Sequence, residues 1–143
     1  SALEVLGVPV LSADCRGDGP FERLRILCIG LGGGTLPSFL VRALPNCEVD
    51  AVELEPAVVS AATEAMGLVE DQRLRIFVED GAAFALRAAE AAAADDGRSE
   101  GCSGPYDAVL IDAFDAAGNT PAPLWTRDGG VCQALARGLI RER

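Results

Sequence analysis

The sequence predicts an α/β fold with a doubly wound, mostly parallel sheet. Two observations carry this prediction. First, an apolar run of strand type at 24–29 leads into a glycine-rich turn and then a helical pattern. Second, three more apolar runs alternate with helical segments along the rest of the chain. Strands joined by helices pair in parallel through right-handed crossovers, so we expect one sheet with helices on both faces.

The elements follow in order from the periodicity and the Gly and Pro signals. We predict strands at 24–29, 48–54, 74–78 and 106–112, and helices at 35–44, 56–67, 82–94 and 131–140. Residues 1–23 are predicted to be a lead-in segment, and 24–143 a single ligand-binding domain. The last helical pattern should lead into a fifth strand, so we expect a domain that is incomplete at its C-terminus. Strand four would then be an exposed apolar edge, through which homo-oligomers could form.

Composition excludes several kinds of chemistry. The 143 residues include no His and no Lys, and the formal net charge is -10. Catalysis by a histidine base or a Schiff-base lysine is therefore excluded within the chain. The acidic surface disfavours nucleic acid and suits a cationic substrate, such as a polyamine or a basic protein segment. No apolar run is long enough to suggest a membrane span.

The cysteines indicate a compartment rather than a site. Their number is five, and no two form a C-x-x-C pair. The sequence therefore predicts neither a metal site nor a disulfide framework, and the usage fits a reducing, cytoplasmic environment.

The glycine turn is the first candidate binding element. Its glycines are Gly30, Gly32, Gly33 and Gly34, with Leu31 between the first two. Glycine allows positive φ and a close approach of the backbone to a ligand. Because Thr35 occupies the sixth position, the spacing is G-x-G-x-G rather than the dinucleotide pattern G-x-G-x-x-G, which favours S-adenosylmethionine or a relative of it.

Acidic residues follow the other three predicted strands. Glu53, with Leu54 beside it, lies about 20 residues past the glycines, where a carboxylate is placed to bind ribose hydroxyls. Glu55 competes for that role, although it directly precedes Pro56 and can serve as a helix cap.

The third and fourth strands end in further carboxylates. Asp80 and Gly81 offer an adenine contact, or alternatively a helix cap. Asp112 is the candidate for holding or deprotonating an amine and for completing the donor site. Asp115 is either a second amine contact or a turn residue, and the aromatic Phe114 lies between these two acids.

These motifs together resemble the class I S-adenosylmethionine-dependent methyltransferases, whose fold is Rossmann-like, and within them the spermidine synthase-like branch. The similarity covers residues 24–140 and includes VDAVELEP at 49–56, EDG at 79–81 and YDAVLIDAFD at 106–115. GLGGGTLP at 30–37 is most similar to the group that methylates elongation factor 1-alpha. The resemblance implies that Gly30, Gly32 and Gly34 flank the methionine portion of the donor, that Glu53 binds its ribose and that Asp80 binds its adenine.

Two departures from the family pattern matter. Aminopropyltransferases share the Asp-x-x-Asp spacing of Asp112 and Asp115, but they carry an acid after the glycines where this chain has Thr35. Many methyltransferases have an acid two residues before the first glycine, where this chain has Cys28.

The sequence therefore predicts a methyltransferase that uses S-adenosylmethionine and acts on an amine, most simply one of a protein. Two alternatives stay open: an aminopropyltransferase of polyamine synthesis, and a non-catalytic nucleotide-fold module that binds a partner.

Overall fold

The computed structural model of the protein describes residues 23–94 and 104–141. Nearly all of the predicted lead-in segment lies outside these residues, as do residues 95–103, between the third predicted helix and the fourth predicted strand. The boundary between lead-in and domain therefore stays a prediction.

The described residues form one four-stranded parallel sheet. Its strands are β1 (Leu24–Ile29), β2 (Cys47–Glu53), β3 (Leu74–Val78) and β4 (Ala108–Ile111), in the spatial order β3-β2-β1-β4. The chain winds outward from β1 to β3 and then crosses back to place β4 on the other side of β1. The predicted doubly wound α/β fold is confirmed.

In the part of the chain that the structure describes, five α-helices connect or follow these strands: α1 (Thr35–Ala43), α2 (Pro56–Ser60), α3 (Gly81–Ala93), α4 (Ala122–Trp125) and α5 (Gly130–Ala136). The predicted helix at 56–67 is shorter than expected, because α2 passes into one π-helical turn, Ala61–Ala65, and ends there. The short helix α4 was not predicted.

The C-terminal helix prediction, 131–140, is wrong at its end. Gly138 has φ 92, which a helix does not accommodate, and the chain turns out of α5 before it. Leu139 is fully buried, and its carbonyl oxygen accepts a 2.8 Å hydrogen bond from the Tyr106 amide. The Arg141 amide donates to the Tyr106 carbonyl oxygen at 2.7 Å. Residues 139–141 thus run parallel to the chain just before β4, and β4 itself is shorter than the predicted 106–112.

Both faces of the sheet are covered, which explains why the strands lack polar alternation. One face packs Leu27, Ile29 and Val52 against α3, α4 and α5. The other face packs Ile26, Val49 and other side chains against α1 and the segment after α2.

A buried carboxylate, Asp50, is the exception in the core of β2. It is 1% exposed, and its two oxygens accept hydrogen bonds of 2.9 Å from the Arg75 guanidinium of β3. The Tyr106 hydroxyl donates to the same carboxylate at 2.6 Å. Neutralised in this way, Asp50 ties β2 to β3 and to the residue that pairs with the C-terminal segment. The sequence pattern alone did not reveal it.

None of the helices within 23–94 and 104–141 is both long and apolar enough to traverse a bilayer.

Candidate functional site

A cleft of about 590 Å³ opens at the carboxyl ends of the strands. Strand order reverses between β1 and β4, and this is where parallel α/β sheets bind ligands. The volume is in the range of small-molecule sites. The walls come from the residues after all four strands and from α4: Ile29, Gly30, Gly32, Val52, Glu53, Leu54, Glu55, Val58, Asp80, Gly81, Asp112, Ala113, Phe114, Asp115, Ala116, Pro121, Pro123 and Leu124.

Gly30 joins the two loops that flank this switch point. Its φ is 96, and a Cβ at this position would overlap the carbonyl group of Asp112. The Asp112 amide also donates to the Ile29 carbonyl oxygen at 2.8 Å. The backbones after β1 and β4 therefore lie in direct contact, which only glycine permits here.

Most amides of the glycine turn already have acceptors. The Gly30 amide donates to Val52 at 2.8 Å, and the Gly34 amide donates to Leu31 at 2.9 Å, both to carbonyl oxygens. In the described part of the chain, the amides of Gly32 and Gly33 have no such partner. Gly32 lies on the cleft wall with φ 52, whereas Leu31, Gly33 and Gly34 do not line the cleft. Of the glycines in the turn, Gly30 and Gly32 therefore line the cleft, and only Gly32 of these two has an amide without a backbone acceptor among the described residues.

Glu53, at the end of β2, is held in place by two backbone amides. Its Oε2 accepts a 3.0 Å hydrogen bond from Leu31, and its Oε1 accepts a 3.1 Å bond from Glu55. Each carboxylate oxygen has capacity for a second donor, so the group is oriented and still able to bind two hydroxyls. Glu55 occupies the N-cap position of α2, but its side chain makes no capping hydrogen bond.

Asp80 acts as the N-cap of α3, the alternative role that its position suggested. Its Oδ1 accepts a 2.8 Å hydrogen bond from the Ala83 amide. Gly81 follows it and is buried, and a Cβ there would overlap the Ile29 side chain. The cap fixes the Asp80 carboxylate at the cleft wall, where Leu54 also lies with 60% of its surface exposed.

Asp112 and Asp115 differ in their surroundings. Within the described ranges, the Asp112 side chain makes no hydrogen bond and faces the cleft. In contrast, Asp115 Oδ1 accepts hydrogen bonds of 2.9 Å from the amides of Ala117 and Asn119. Asp115 therefore organises its own loop, as a turn residue does.

The electrostatic character of the cleft is uniform. Among residues 23–94 and 104–141, five carboxylates line it and no basic side chain does. Across the described ranges, no cluster of three or more His, Cys, Asp or Glu side chains is arranged to hold a metal ion.

Cys28, two residues before the first glycine, is buried in β1, and burial raises the pKa of its thiol to about 12. It therefore stays neutral and cannot replace an acid at that position.

Eight of the predicted site residues meet at this cleft: Gly30, Gly32, Glu53, Leu54, Asp80, Gly81, Asp112 and Asp115. Sequence reasoning missed the wall formed by Pro121, Pro123 and Leu124. The available signal was the proline at the start of α4, a position that favours a helix start.

No protein-family model matches the chain. A Drosophila pseudoobscura pseudoobscura protein named eEF1A lysine and N-terminal methyltransferase homolog is 39% identical over 87 residues, which are 61% of this chain and 11% of that protein. A polyamine aminopropyltransferase of Vibrio vulnificus is 33% identical over 105 residues, or 73% of this chain and 31% of that one. The crystal structure of human methyltransferase-like protein 13 in complex with SAH has a TM-score of 0.63 and 26% identity, covering 81% of this chain and 50% of that chain.

These similarities confirm the resemblance to class I S-adenosylmethionine-dependent methyltransferases of the branch that includes spermidine synthase. The chain spans 11% and 31% of the lengths of the two curated relatives above, so the similarity concerns one region of longer proteins.

Proposed function

Because the chain is a relative of the class I S-adenosylmethionine-dependent methyltransferases, we propose that it binds S-adenosylmethionine and methylates an amine of a protein. The observation that carries the proposal is the Glu53 carboxylate, which two amides orient at the switch-point cleft. The name of the Drosophila relative, a lysine and N-terminal methyltransferase homolog, supports a protein amine as the acceptor.

The cleft residues fit the donor. Glu53 is placed to accept both ribose hydroxyls, and the Asp80 carboxylate with Leu54 offers a polar and an apolar contact for adenine. The Gly32 amide, on the cleft wall, would donate to the methionine portion. A cleft with five carboxylates and no basic lining residue suits a sulfonium ion.

The chemistry requires little from the protein beyond alignment. When bound, S-adenosylmethionine supplies a methyl group on an already activated sulfonium, so acceleration comes mainly from positioning. This agrees with a chain that has neither His nor Lys. An acceptor ammonium must lose a proton before its nitrogen can act as a nucleophile. We assign Asp112 to accept that proton, because its carboxylate lines the cleft and makes no hydrogen bond to any residue that the structure describes.

The net charge and the free cysteines support a proposal for the partner and for the cell compartment. We infer a basic protein segment as the partner, rather than nucleic acid, because the net charge is -10. The proposed compartment is the cytoplasm, supported by the free thiols of Cys28, Cys47 and Cys132. Homo-oligomer formation through the β4 edge and the domain boundary at 23/24 remain proposals.

Calorimetry with S-adenosylmethionine tests the donor site, with Glu53→Ala compared against Glu55→Ala. Loss of hydrogen bonds to a charged group should weaken binding by about tenfold or more for Glu53→Ala. The matched control removes a neighbouring cleft carboxylate that makes no capping hydrogen bond, and it should change affinity by less than about threefold. Equal losses in both variants, or no binding by the folded wild-type chain, would overturn the proposal.

Aminopropyl transfer to a polyamine is the second candidate, favoured by the similarity to the Vibrio aminopropyltransferase and by the Asp112 and Asp115 spacing. Two observations count against it. Thr35 follows the glycines where that activity expects an acid, and Asp115 uses one oxygen within its own loop. Tighter binding of decarboxylated S-adenosylmethionine than of S-adenosylmethionine would favour this candidate.

A further inference from the structure

Phe114 is an aromatic side chain that the proposed function leaves without a role. Phe114 lines the cleft, yet 65% of its surface is exposed, and it is not part of the hydrophobic packing on either face of the sheet. Among the described residues that line the cleft, no other is aromatic. An exposed aromatic ring that core packing does not require, placed in a ligand cleft, is available to contact a ligand.

The loop that carries Phe114 is fixed on both sides of the ring. On one side, the Asp112 amide continues the sheet hydrogen bonding to Ile29. On the other, Asp115 exchanges hydrogen bonds with the loop: its amide donates to the Asn119 carbonyl oxygen at 2.8 Å, and its Oδ1 accepts from two amides. The ring is therefore presented by an ordered backbone although it is largely exposed.

The electrostatics of the ring and its surroundings determine which kind of ligand group this ring can bind. The face of an aromatic ring attracts cations, and the Asp112 carboxylate close to it in sequence strengthens that preference. Two cations take part in the proposed reaction, the sulfonium of the donor and the ammonium of the acceptor. The residues that we assign to the donor, Gly32, Glu53 and Asp80, lie at the ends of β1, β2 and β3. Phe114 instead follows β4, two residues after Asp112, which we assign to the acceptor amine.

We propose that Phe114 binds the cationic amine of the acceptor through its ring face, and that Asp115 is a positioning residue which fixes this ring rather than a second amine ligand. The inference rests on the proposed function for the identity of the cation. It assigns the acceptor class as a primary or methylated ammonium whose methyl and methylene groups contact the ring.

Two small probes test the ring contact without turnover: choline and its neutral isostere 3,3-dimethylbutan-1-ol. Their dissociation constants are measured by NMR titration, with and without S-adenosylhomocysteine. Phe114→Leu should weaken choline binding about fivefold and leave the neutral alcohol within about twofold, while Phe114→Tyr should retain the preference for choline. The matched control is Trp125→Leu, which removes an equally exposed aromatic ring (63%) that does not line the cleft, and it should have no effect. An unchanged choline preference in Phe114→Leu would overturn the proposal.

A second experiment tests whether the ring binds the donor instead. It compares the affinities for S-adenosylmethionine and for S-adenosylhomocysteine, which lacks the sulfonium charge. Phe114→Leu should change both affinities equally. A selective loss for the charged donor would place the sulfonium, not the acceptor, at the ring and would overturn the inference. Failure of the wild-type chain to bind either compound would instead count against the proposed function, while the choline titrations without donor would still decide the role of Phe114.

The role of Asp115 is tested by two substitutions. Asp115→Asn keeps an oxygen that can accept from Ala117 and Asn119, whereas Asp115→Ala removes it. A positioning role predicts that choline affinity is near wild type in Asp115→Asn and lowered severalfold in Asp115→Ala. Equal losses in both variants would show that the charge itself binds the amine, and would overturn this assignment.

Discussion

At the level of single residues, Glu53 connects two segments of the cleft that we propose as the donor site. Its carboxylate accepts hydrogen bonds from Leu31 in the glycine turn and from Glu55 at the start of α2. Through these two bonds, one side chain orients itself and holds the segments after β1 and β2 in a fixed relation. A site arranged in this way before the ligand arrives loses less conformational entropy on binding.

Gly30 is the glycine whose replacement should cost most. Gly30→Ala forces a Cβ into the Asp112 carbonyl group at a φ of 96, so we expect a loss of about 2 to 4 kcal/mol in the free energy of unfolding. Gly32→Ala is the control: its φ is also positive, but no atom lies within 4 Å of the added Cβ, and about 1 kcal/mol is expected. Urea unfolding of the two variants measures the difference, and similar losses would contradict the contact between the two loops.

Cys28 should make stability depend on pH in the alkaline range. Burial raises the pKa of this thiol from 9.0 to about 12, so above pH 9 the unfolded chain releases a proton that the folded chain retains. Fewer protons bound in the unfolded state mean that stability is fully present below pH 9 and falls as pH rises toward 12. Between pH 9 and pH 12, this thiol should lower the free energy of unfolding by about 1.4 kcal/mol per pH unit.

Urea unfolding between pH 9 and pH 11 checks this contribution, with Cys28→Ala as the comparison. The variant starts from a lower stability because it leaves a small cavity, but its stability should fall less steeply with pH. Parallel pH profiles for the two proteins would contradict the assigned pKa.

At the level of secondary structure, the helix termini next to the cleft are where the site is built. α3 begins directly after Asp80, and α2 begins directly after Glu55. The Asp80 side chain makes a capping hydrogen bond to α3, whereas the Glu55 side chain makes none to α2. The carboxylate that caps α3 is consequently the better fixed of the two, which suits a residue that contacts a ligand.

Asp80 should therefore contribute to stability as well as to binding. Asp80→Ala removes the acceptor for the Ala83 amide, and the loss of an N-cap is expected to cost about 1 kcal/mol in the free energy of unfolding. Asp80→Asn preserves a capping oxygen and should stay within a few tenths of a kcal/mol of wild type. Thermal and urea unfolding give both values, and an Asn variant as unstable as the Ala variant would argue that the charge, rather than the cap, stabilises α3.

At the level of the whole molecule, the chain as a whole is acidic, and acidic side chains are also concentrated at the cleft. The chain carries a net charge of -10, and five of its carboxylates line one cleft. Such a field attracts basic partners at long range and repels phosphate backbones.

Binding of a basic acceptor should accordingly weaken as salt rises. For a short Lys-rich peptide, we expect the association constant to fall about tenfold between 50 and 500 mM NaCl, because exposed charges are screened over shorter distances at high ionic strength. Fluorescence anisotropy with the labelled peptide measures this, and a peptide of the same length with Glu in place of Lys is the control. Salt-independent binding, or binding of the acidic peptide, would contradict an electrostatic basis for acceptor choice.

The sequence by itself determined the parallel α/β architecture, the glycine turn and the acids at the strand ends. These are local signals: apolar periodicity, Gly and Pro punctuation, and the position of a residue just after a strand. Since parallel strands end at one edge of a sheet, such positions converge whenever the fold is right, and Glu53, Asp80 and Asp112 indeed meet at one cleft.

Only the tertiary structure decided what each group does there. The burial of Asp50 depends on Arg75 and Tyr106, which are 25 and 56 residues away in the chain. The end of α5 depends on pairing between Leu139 and Tyr106, and the wall formed by α4 depends on packing against α5 and α3. The function of a carboxylate is set by the hydrogen bonds around it, and those are made by segments whose proximity no local pattern encodes.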